Sequence, residues 1–233
     1  MPATRGADTH TQQREVDVAA VSHPVFARVY ERLSVAMDRA GLDEFRRDLV
    51  AGLSGRVIEV GAGNGRMFPH YPPGVTEVVA VEPEPRLRAA AIRAATTAPV
   101  PVTVVDGLAE ALPAGDGEFD AAVVALVLCS VTDQADALAE IHRVLRPSGQ
   151  LRFFEHVAVE EPGRLRRIQR LSDATLWPKL FGGCHTARDT TAAIGTAGFA
   201  IGELRRFRFP ATSSSPSSPC VLGRAIRREP GRS

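Results

Sequence analysis

A glycine-rich turn after a short apolar run constrains this chain more than any other stretch. Residues 56–66 read RVIEVGAGNGR, and the mostly β-branched run Val57–Val60 is typical of a buried strand. Three alternating glycines let the backbone turn sharply and approach a ligand where a side chain would clash. A helix expected directly after the turn would direct its dipole at an anionic group. The stretch predicts a nucleotide-type site.

The spacing of the glycines indicates which kind of site this is. A dinucleotide-binding turn reads G-x-G-x-x-G, whereas here Arg66 takes the third glycine position and the glycine comes one residue early, at Gly65. An acid, Glu59, stands two residues before the first glycine. This order resembles the first motif of the class I S-adenosylmethionine-dependent methyltransferases. Because many turns are glycine-rich, this motif alone does not identify the family, and evidence from the rest of the chain is needed.

Apolar runs and helical patterns alternate after the turn. Strand-like runs at 75–81, 100–105, 121–128 and 150–154 are separated by helical patterns that include 85–96 and 133–145. Such alternation predicts parallel pairing with right-handed crossovers, and therefore an α/β, doubly wound, mostly parallel seven-stranded Rossmann-like sheet. Ligands of these sheets lie beyond the carboxyl ends of the strands. Five polar residues fall at such ends: Glu59, Glu82, Asp106, Cys129 and Glu155.

Composition argues against several classes of partner and of cellular location. Hydrophobic residues make up 44% and charged residues 24% of the chain, and a net charge of +1 gives no field that favours nucleic acid. Cys129, Cys184 and Cys220 are far apart in the sequence, which predicts neither a disulfide framework nor a metal site and favours a reducing compartment. No run approaches the roughly 20 apolar residues of a membrane span, and no signal pattern opens the chain. We expect a cytoplasmic protein.

Several further sequence words strengthen the resemblance. Together and in this order they are similar to class I methyltransferases of the ubiquinone and menaquinone C-methyltransferase type, and more closely to the methyltransferase-like thiol S-methyltransferases and their bacterial relatives. The resemblance implies S-adenosyl-L-methionine as cofactor and methyl transfer as the activity. The words are VIEVGAG at 57–63, YPPG at 71–74, LVLCSV at 126–131, VLRP at 144–147, EHV at 155–157 and FGGC at 181–184.

The resemblance also implies a domain plan. Residues 1–22 are expected to form a mobile arm, 23–226 a single methyltransferase domain and 227–233 a tail. Within the domain, 23–54 would form lid helices and 157–185 an insertion on the acceptor side. The oligomeric state stays open.

The same resemblance assigns roles around the cofactor. Glu59 would accept from its ammonium group, and Glu82 from both ribose hydroxyls, since a carboxylate has lone pairs enough for both. Backbone amides of the turn would face its methionine carboxylate; these belong to Gly61, Ala62, Gly63 and Gly65.

The adenine end departs from the family pattern. Many relatives carry an aspartate that binds the adenine amino group, but Leu108 stands at that position here. Backbone groups near Leu108 and Ala109, with apolar packing, are therefore expected to hold the adenine. Pro83 and Leu126 complete the expected cofactor set. Tyr30 is expected to close over the sulfonium through cation–π attraction, or simply to pack in the core.

The acceptor is expected to be a small, largely apolar molecule, with a thiol favoured. His156 follows the fifth strand and is the candidate base for the acceptor's proton; a structural hydrogen bond to a carbonyl is its alternative role. O-, N- or C-methylation of a quinone-like or secondary metabolite stays open. Two readings from other classes also remain, an NAD(P)-binding oxidoreductase and a non-catalytic cofactor-binding protein.

Overall fold

Seven strands form one sheet in the computed structural model, which describes residues 24–228. The strand order is β3-β2-β1-β4-β5-β7-β6; β1 to β5 pair in parallel, and β7 runs antiparallel to both of its neighbours. The predicted fold class is confirmed. The strands are β1 (Gly55–Val60), β2 (Val75–Val81), β3 (Val102–Val105), β4 (Phe119–Ala125), β5 (Leu145–His156), β6 (Phe199–Arg208) and β7 (Pro219–Arg227).

Seven α-helices connect or precede the strands. Carboxylates cap several of them; the Glu84 side chain, for example, accepts from the backbone N–H of Leu87 at 2.8 Å. The helices are α1 (Pro24–Met37), α2 (Asp43–Val50), α3 (Pro85–Ala95), α4 (Gln134–Val144), α5 (Arg164–Asp173), α6 (Trp177–Leu180) and α7 (Thr190–Thr196). No helix among residues 24–228 has the length and apolarity needed to cross a membrane.

The two ends of the chain bear on the predicted domain plan. The arm predicted at residues 1–22 lies outside the described residues, as do residues 229–233. The predicted tail begins too early, because Arg227 is still paired with Phe199 at the end of β7.

Both faces of the sheet are buried. Ile58 and Val60 of β1 pack into one core cluster, while Val57 packs into the other, on the opposite face. This is the strand alternation expected for a parallel sheet covered on both sides. The same alternation places Glu59 on the face of Val57, where a carboxylate enters an otherwise apolar layer.

The helix expected directly after the glycine turn is not present. Residues 61–67 continue as turns, and a single 3₁₀ turn, Phe68–His70, follows them. Pro69, Pro72 and Pro73 explain the difference, because proline has no N–H to donate to a helical hydrogen bond. The predicted helix dipole therefore contributes nothing at this site, and any ligand there must be held by the turn and the strand-end side chains.

The two N-terminal helices are separated by a kink. α1 ends at Met37, and the wide turn Asp38–Leu42 contains Gly41 at a φ of 108°, a value that only glycine adopts readily. Asp38 in this turn pairs with Arg46 of α2 at 3.0 Å and with Arg66 of the glycine turn at 2.5 Å. These ion pairs fasten the N-terminal helices to the glycine turn.

A buried glutamine anchors the segment between β5 and α7. The sequence predicts that Leu165, Ile168 and Leu171 of α5 face inward, but Leu171 is 66% exposed and Ile168 is 39% exposed. Gln169 is fully buried instead. The two protons of its Nε2 are shared among the carbonyl oxygens of Val157, Thr186 and Pro216, and its Oε1 accepts from the N–H of Val159, all at 2.9–3.0 Å.

Substituting Gln169→Leu should lower the free energy of unfolding by about 2–4 kcal/mol, because it leaves several buried backbone groups without partners. The matched change on the exposed side of the same helix, Leu171→Ala, should stay within about 0.5 kcal/mol of the wild type. Urea denaturation of the three proteins measures both values. Equal stability of Gln169→Leu and the wild type would show that the glutamine does not anchor this segment.

Candidate cofactor and acceptor site

The glycines of the turn are required by close approach and by backbone conformation. Gly61 and Gly63 have φ values of 71° and 57°, in the left-handed region that favours glycine. A Cβ at Gly61 would lie 2.5 Å from Cγ2 of Val127, and one at Gly63 would lie 3.2 Å from the Tyr30 ring. The turn is therefore packed between the loop after β4 and helix α1.

Four amides of this turn, those expected to face the methionine carboxylate, have partners within the protein. Gly61 and Ala62 both donate to the carbonyl of Val81, at 2.8 and 3.0 Å, and Gly65 donates to that of Ala62. The amide of Gly63 donates to the Glu82 carboxylate at 2.7 Å. These four hydrogen bonds shape the turn.

Glu82 lies where the sequence predicts, at the end of β2, and is buried. One carboxylate oxygen accepts from Gly63 N–H, and the other accepts from Glu84 N–H at 3.0 Å. Burial raises the pKa of Glu82, and the hydrogen bonds from Glu84 and Gly63 oppose that rise. Each oxygen keeps a free lone pair, so the carboxylate still has acceptor capacity for two hydroxyl groups.

Glu59 is held by a tyrosine that sequence reasoning did not select. The hydroxyl of Tyr71 donates to the Glu59 carboxylate at 2.8 Å, and both residues are buried. Burial raises the pKa of Glu59 to about 7, while the Tyr71 hydrogen bond and the charge of Arg46 act in the opposite direction. Glu59 thus changes charge near neutral pH, and a cation beside it would favour the ionised form.

Asn64 supplies a second missed feature. Its side-chain N–H donates to Ser34 Oγ of α1 at 3.0 Å, while its buried oxygen Oδ1 has no partner among the described protein atoms. A buried acceptor without a donor costs free energy unless a ligand satisfies it. Asn64 occupies a variable position of the glycine motif, so the sequence pattern gave no reason to select it, and its unpartnered oxygen is visible only in the structure.

The residues predicted on the adenine side lie at the end of β3. Leu108 and Ala109 are both buried, and the carbonyl of Leu108 accepts from Ala111 N–H at 3.1 Å. Asp106 instead pairs with Arg88 at 2.9 Å, and the same guanidinium donates to the carbonyl of Pro83 at 2.8 Å. Asp106 is therefore engaged away from the Leu108 side.

A fully buried carboxylate organises the loop after β4. Glu155, at the end of β5, accepts from the backbone N–H groups of Val127, Leu128 and Cys129 at 2.9–3.1 Å. Leu126, the residue that begins this loop, has a φ of 61°. A non-glycine residue in that region is strained, and such strain is concentrated at functional sites.

His156 lies in a cluster with two cysteines. Its Nδ1 is 3.8 Å from Sγ of Cys129 and 3.4 Å from Sγ of Cys184. Although Cys129 and Cys184 are far apart in the sequence, which predicted no metal site, the segment between β5 and α7 brings Cys184 back to the end of β4. The Cys184 hydrogen bond, burial and the Glu155 charge raise the pKa of Cys129 well above its ordinary value.

Helix α1 covers the space between the glycine turn and the cysteine cluster. Tyr30 lies over Gly63, and Phe26 packs 5.6 Å from Tyr30 between ring centroids. A Cβ on Gly182 would lie 2.7 Å from the Phe26 ring, so α1 also touches the turn that precedes Cys184. Helix α1 therefore contacts both the glycine turn and the turn that precedes Cys184.

The chemistry of these groups fits S-adenosylmethionine. The cofactor carries a sulfonium and an ammonium, while the strand ends present two buried carboxylates, Glu59 and Glu82, and the unpartnered oxygen of Asn64. Buried acids with raised pKa values are stabilised by a bound cation. The match between the site and S-adenosylmethionine therefore depends on these three acceptor groups.

Replacing Tyr71→Phe should destabilise the protein more at pH 8 than at pH 5. Burial raises the pKa of Glu59 from 4.5 to about 7 in the folded protein, so the folded state holds this proton more tightly than the unfolded state does. The free energy of unfolding therefore falls as the pH rises from about 4.5 to about 7. Losing the hydroxyl leaves the carboxylate without its donor at pH 8, which costs about 1.5–3 kcal/mol, against about 1 kcal/mol for the neutral acid at pH 5.

Denaturant unfolding at the two pH values measures the difference. Thr190→Val is the control, because the buried Thr190 hydroxyl accepts from the uncharged side chain of Gln134 at 3.1 Å and its loss should cost the same free energy at both pH values. A loss for Tyr71→Phe that does not change with pH would show that Glu59 keeps one charge state between pH 5 and 8.

Comparisons with known proteins identify the family. Residues 58–153 match the family described as "Methyltransferase domain". Human thiol S-methyltransferase TMT1A is 34% identical over 182 residues, covering 76% of this chain and 73% of that protein. Rat thiol S-methyltransferase TMT1B is 31% identical, covering 73% and 70%. An S-adenosylmethionine-dependent methyltransferase structure from Thermotoga maritima superposes with a TM-score of 0.65 at 24% identity, covering 88% and 97%. The chain belongs to the class I S-adenosylmethionine-dependent methyltransferases.

Proposed function

We propose that this protein transfers the methyl group of S-adenosylmethionine to the sulfur of a small, largely apolar thiol. The observation that carries the proposal is the cluster of His156, Cys129 and Cys184 at the strand-end edge, one strand away from the glycine turn. Support for sulfur as the acceptor atom comes from relatives at 31–34% identity that are named thiol S-methyltransferases.

Each group of cofactor-binding residues recognises a different part of S-adenosylmethionine. Glu82 accepts from the ribose hydroxyls, and Leu108, Ala109 and Pro83 line the adenine side. Glu59, oriented by Tyr71, faces the ammonium group together with Oδ1 of Asn64. The glycines of the turn Gly61–Gly65 allow Val127 and Tyr30 to pack directly against its backbone, which side chains there would prevent.

We assign the methionine carboxylate a side-chain donor in addition to the turn. Arg46 is the candidate, because it is buried and its charge opposes the rise that burial causes in the pKa values of Tyr30 and Glu59. Its Nε is paired with Asp38 and its guanidinium also hydrogen-bonds to Tyr30, so the remaining N–H groups are assigned to the carboxylate.

When bound, the cofactor supplies an electrophilic methyl group whose transfer discharges the sulfonium. The protein's main task is then to align the acceptor and to exclude water. Tyr30 and Phe26 of α1, whose ring centroids are 5.6 Å apart, would cover the cofactor, with Tyr30 contacting the sulfonium. Leu126, whose N–H donates to the carbonyl of Phe154 in β5, would contact it from the loop after β4. Trp177 and Phe181, stacked at 4.1 Å, add apolar surface in the segment that carries Cys184.

His156 is the catalytic candidate on the acceptor side. A thiol is only a few per cent ionised at neutral pH, and the thiolate is the reactive nucleophile. His156 borders this space and would favour loss of the acceptor's proton. Glu155 is committed to three backbone N–H groups and acts as a structural acid.

Substituting Glu82→Ala should weaken S-adenosylmethionine binding roughly ten- to a hundredfold, because it removes hydrogen bonds to a charged group worth about 1.5–3 kcal/mol. Isothermal titration of folded protein measures this. Asp106→Ala is the matched control, since it removes the acid at the end of the neighbouring strand and should leave the affinity within about twofold. Undiminished affinity in Glu82→Ala would contradict the ribose assignment.

Substituting His156→Ala should slow methylation of aliphatic thiols by about 10²-fold or more, since proton removal contributes 10²–10⁴-fold. Aromatic thiols that are largely ionised at neutral pH should be affected far less. Initial rates with matched aliphatic and aromatic thiols, and with phenols and amines of the same shape, test this. Turnover of phenols or amines without turnover of any thiol would reject sulfur as the acceptor atom.

A further inference from the structure

Three side chains from separate parts of the chain bring soft ligand atoms together. Cys129 follows β4, His156 ends β5 and Cys184 lies in the segment before α7. Their ligand atoms, two Sγ and one imidazole nitrogen, all lie within 4.8 Å of one another. The third cysteine, Cys220, is also buried but does not belong to this group.

The separations match those of a tetrahedral site. Zinc–sulfur bonds of about 2.3 Å and zinc–nitrogen bonds of about 2.0–2.1 Å, at tetrahedral angles, place sulfur and nitrogen about 3.5 Å apart. The two Sγ–Nδ1 distances are 3.4 and 3.8 Å. An ion would therefore fit with only small side-chain adjustments.

The backbone around the ligands is fastened before any ion binds. His185 N–H, next to Cys184, donates to the carbonyl of Cys129 at 2.8 Å. Arg188 donates to the carbonyls of Leu128 and Val131 at 2.7 and 2.8 Å, so the two cysteine-bearing loops are joined at several points. A rigid arrangement of ligands reduces the ordering cost of metal binding.

The donor set selects the kind of ion. Two thiolates and one imidazole favour a thiophilic cation such as Zn²⁺ over the oxygen-preferring Mg²⁺ and Ca²⁺. Three protein ligands are the number found at catalytic zinc sites, which keep a fourth position for substrate or water. His156 stays partly exposed, so the cluster is not sealed from the space where an acceptor would lie.

We propose that Cys129, Cys184 and His156 bind a thiophilic divalent cation of the Zn²⁺ class, whose fourth position takes the sulfur of the acceptor. The second half of this proposal rests on the proposed thiol methylation. On coordination the acceptor thiol gives its proton to solvent, so in the metal-loaded protein the ion takes over the proton-removing role assigned above to His156, which then acts as a ligand. Its sulfur lone pair then forms the new S–C bond while the bond from the methyl group to the sulfonium sulfur breaks, and that electron pair stays on the departing sulfur.

Metal binding is tested without cofactor or acceptor. Protein treated with a chelator and kept reduced is titrated with Zn²⁺ in competition with a chromophoric chelator, and separately with Co²⁺. One equivalent should bind, with thiolate-to-cobalt charge-transfer absorption. Cys184→Ala should weaken Zn²⁺ binding by about a hundredfold or more, whereas the control Cys220→Ala should bind like the wild type.

The outcomes of this titration are decisive. Equal Zn²⁺ affinity in Cys184→Ala and wild type, or no binding by wild-type protein whose thiols are all free, would overturn the site. Thermal unfolding of the metal-free variants checks that each is folded. If Cys184→Ala does not fold, His156→Ala provides the same comparison, because its side chain is the third ligand.

The acceptor's role has its own measurement. A small apolar thiol added to the cobalt-loaded protein should shift the cobalt bands, and an alcohol of the same shape should not. Methylation of that thiol should be at least tenfold faster with zinc-loaded than with chelator-treated enzyme. Equal rates would overturn the ion's role while leaving thiol methylation standing; a spectral shift without any methylated thiol would instead contradict the proposed function.

Discussion

One buried carboxylate, Glu155, determines the shape of the loop on which the site depends. An uncompensated carboxylate in a protein core is very costly, and Glu155 is tolerated because three consecutive N–H groups of residues 127–129 donate to it. The same bonds hold the strained backbone at Leu126 and set Val127 against Gly61. They also fix the position of Cys129, so both the cofactor side and the acceptor side of the site depend on this one interaction.

A second constraint is electrostatic. Glu59 and Glu82 are buried at neighbouring strand ends, and burial raises both pKa values. Each acid is held by protein donors, Tyr71 for Glu59 and two backbone amides for Glu82, so their orientation is set before a ligand arrives. A cationic cofactor would favour the ionised form of both acids, which couples its binding to proton release.

The sheet could be predicted from the sequence because its signals are local. The bounds of β2 agree with the predicted run at 75–81, and the strand-end acids are where the alternation places them. The glycine turn misled the prediction in one respect, because a helix was expected after it and the prolines at 69, 72 and 73 prevent one. The amides of the turn are likewise engaged within the protein.

The missed features all depend on contacts between distant segments. Nothing in the sequence pairs Tyr71 with Glu59, and no spacing rule brings Cys184 to Cys129 and His156. On α5, helical periodicity selected Leu171 as a core residue, but the buried position belongs to Gln169, whose partners are backbone carbonyls far along the chain. Periodicity reports which face of a helix is apolar and cannot show which side chain the rest of the fold needs.

The central claim is that the cofactor lies along the glycine turn and Glu82, with its sulfur facing His156 and Cys129. A crystal structure with the demethylated cofactor product tests it most directly. The account predicts ribose hydroxyls within hydrogen-bond distance of Glu82, the amino group beside Glu59 and Asn64, and the sulfur under Tyr30. Density for the product in the surface groove beside Arg28, Glu31 and Arg86 of α1 and α3, with the glycine turn unchanged, would contradict it.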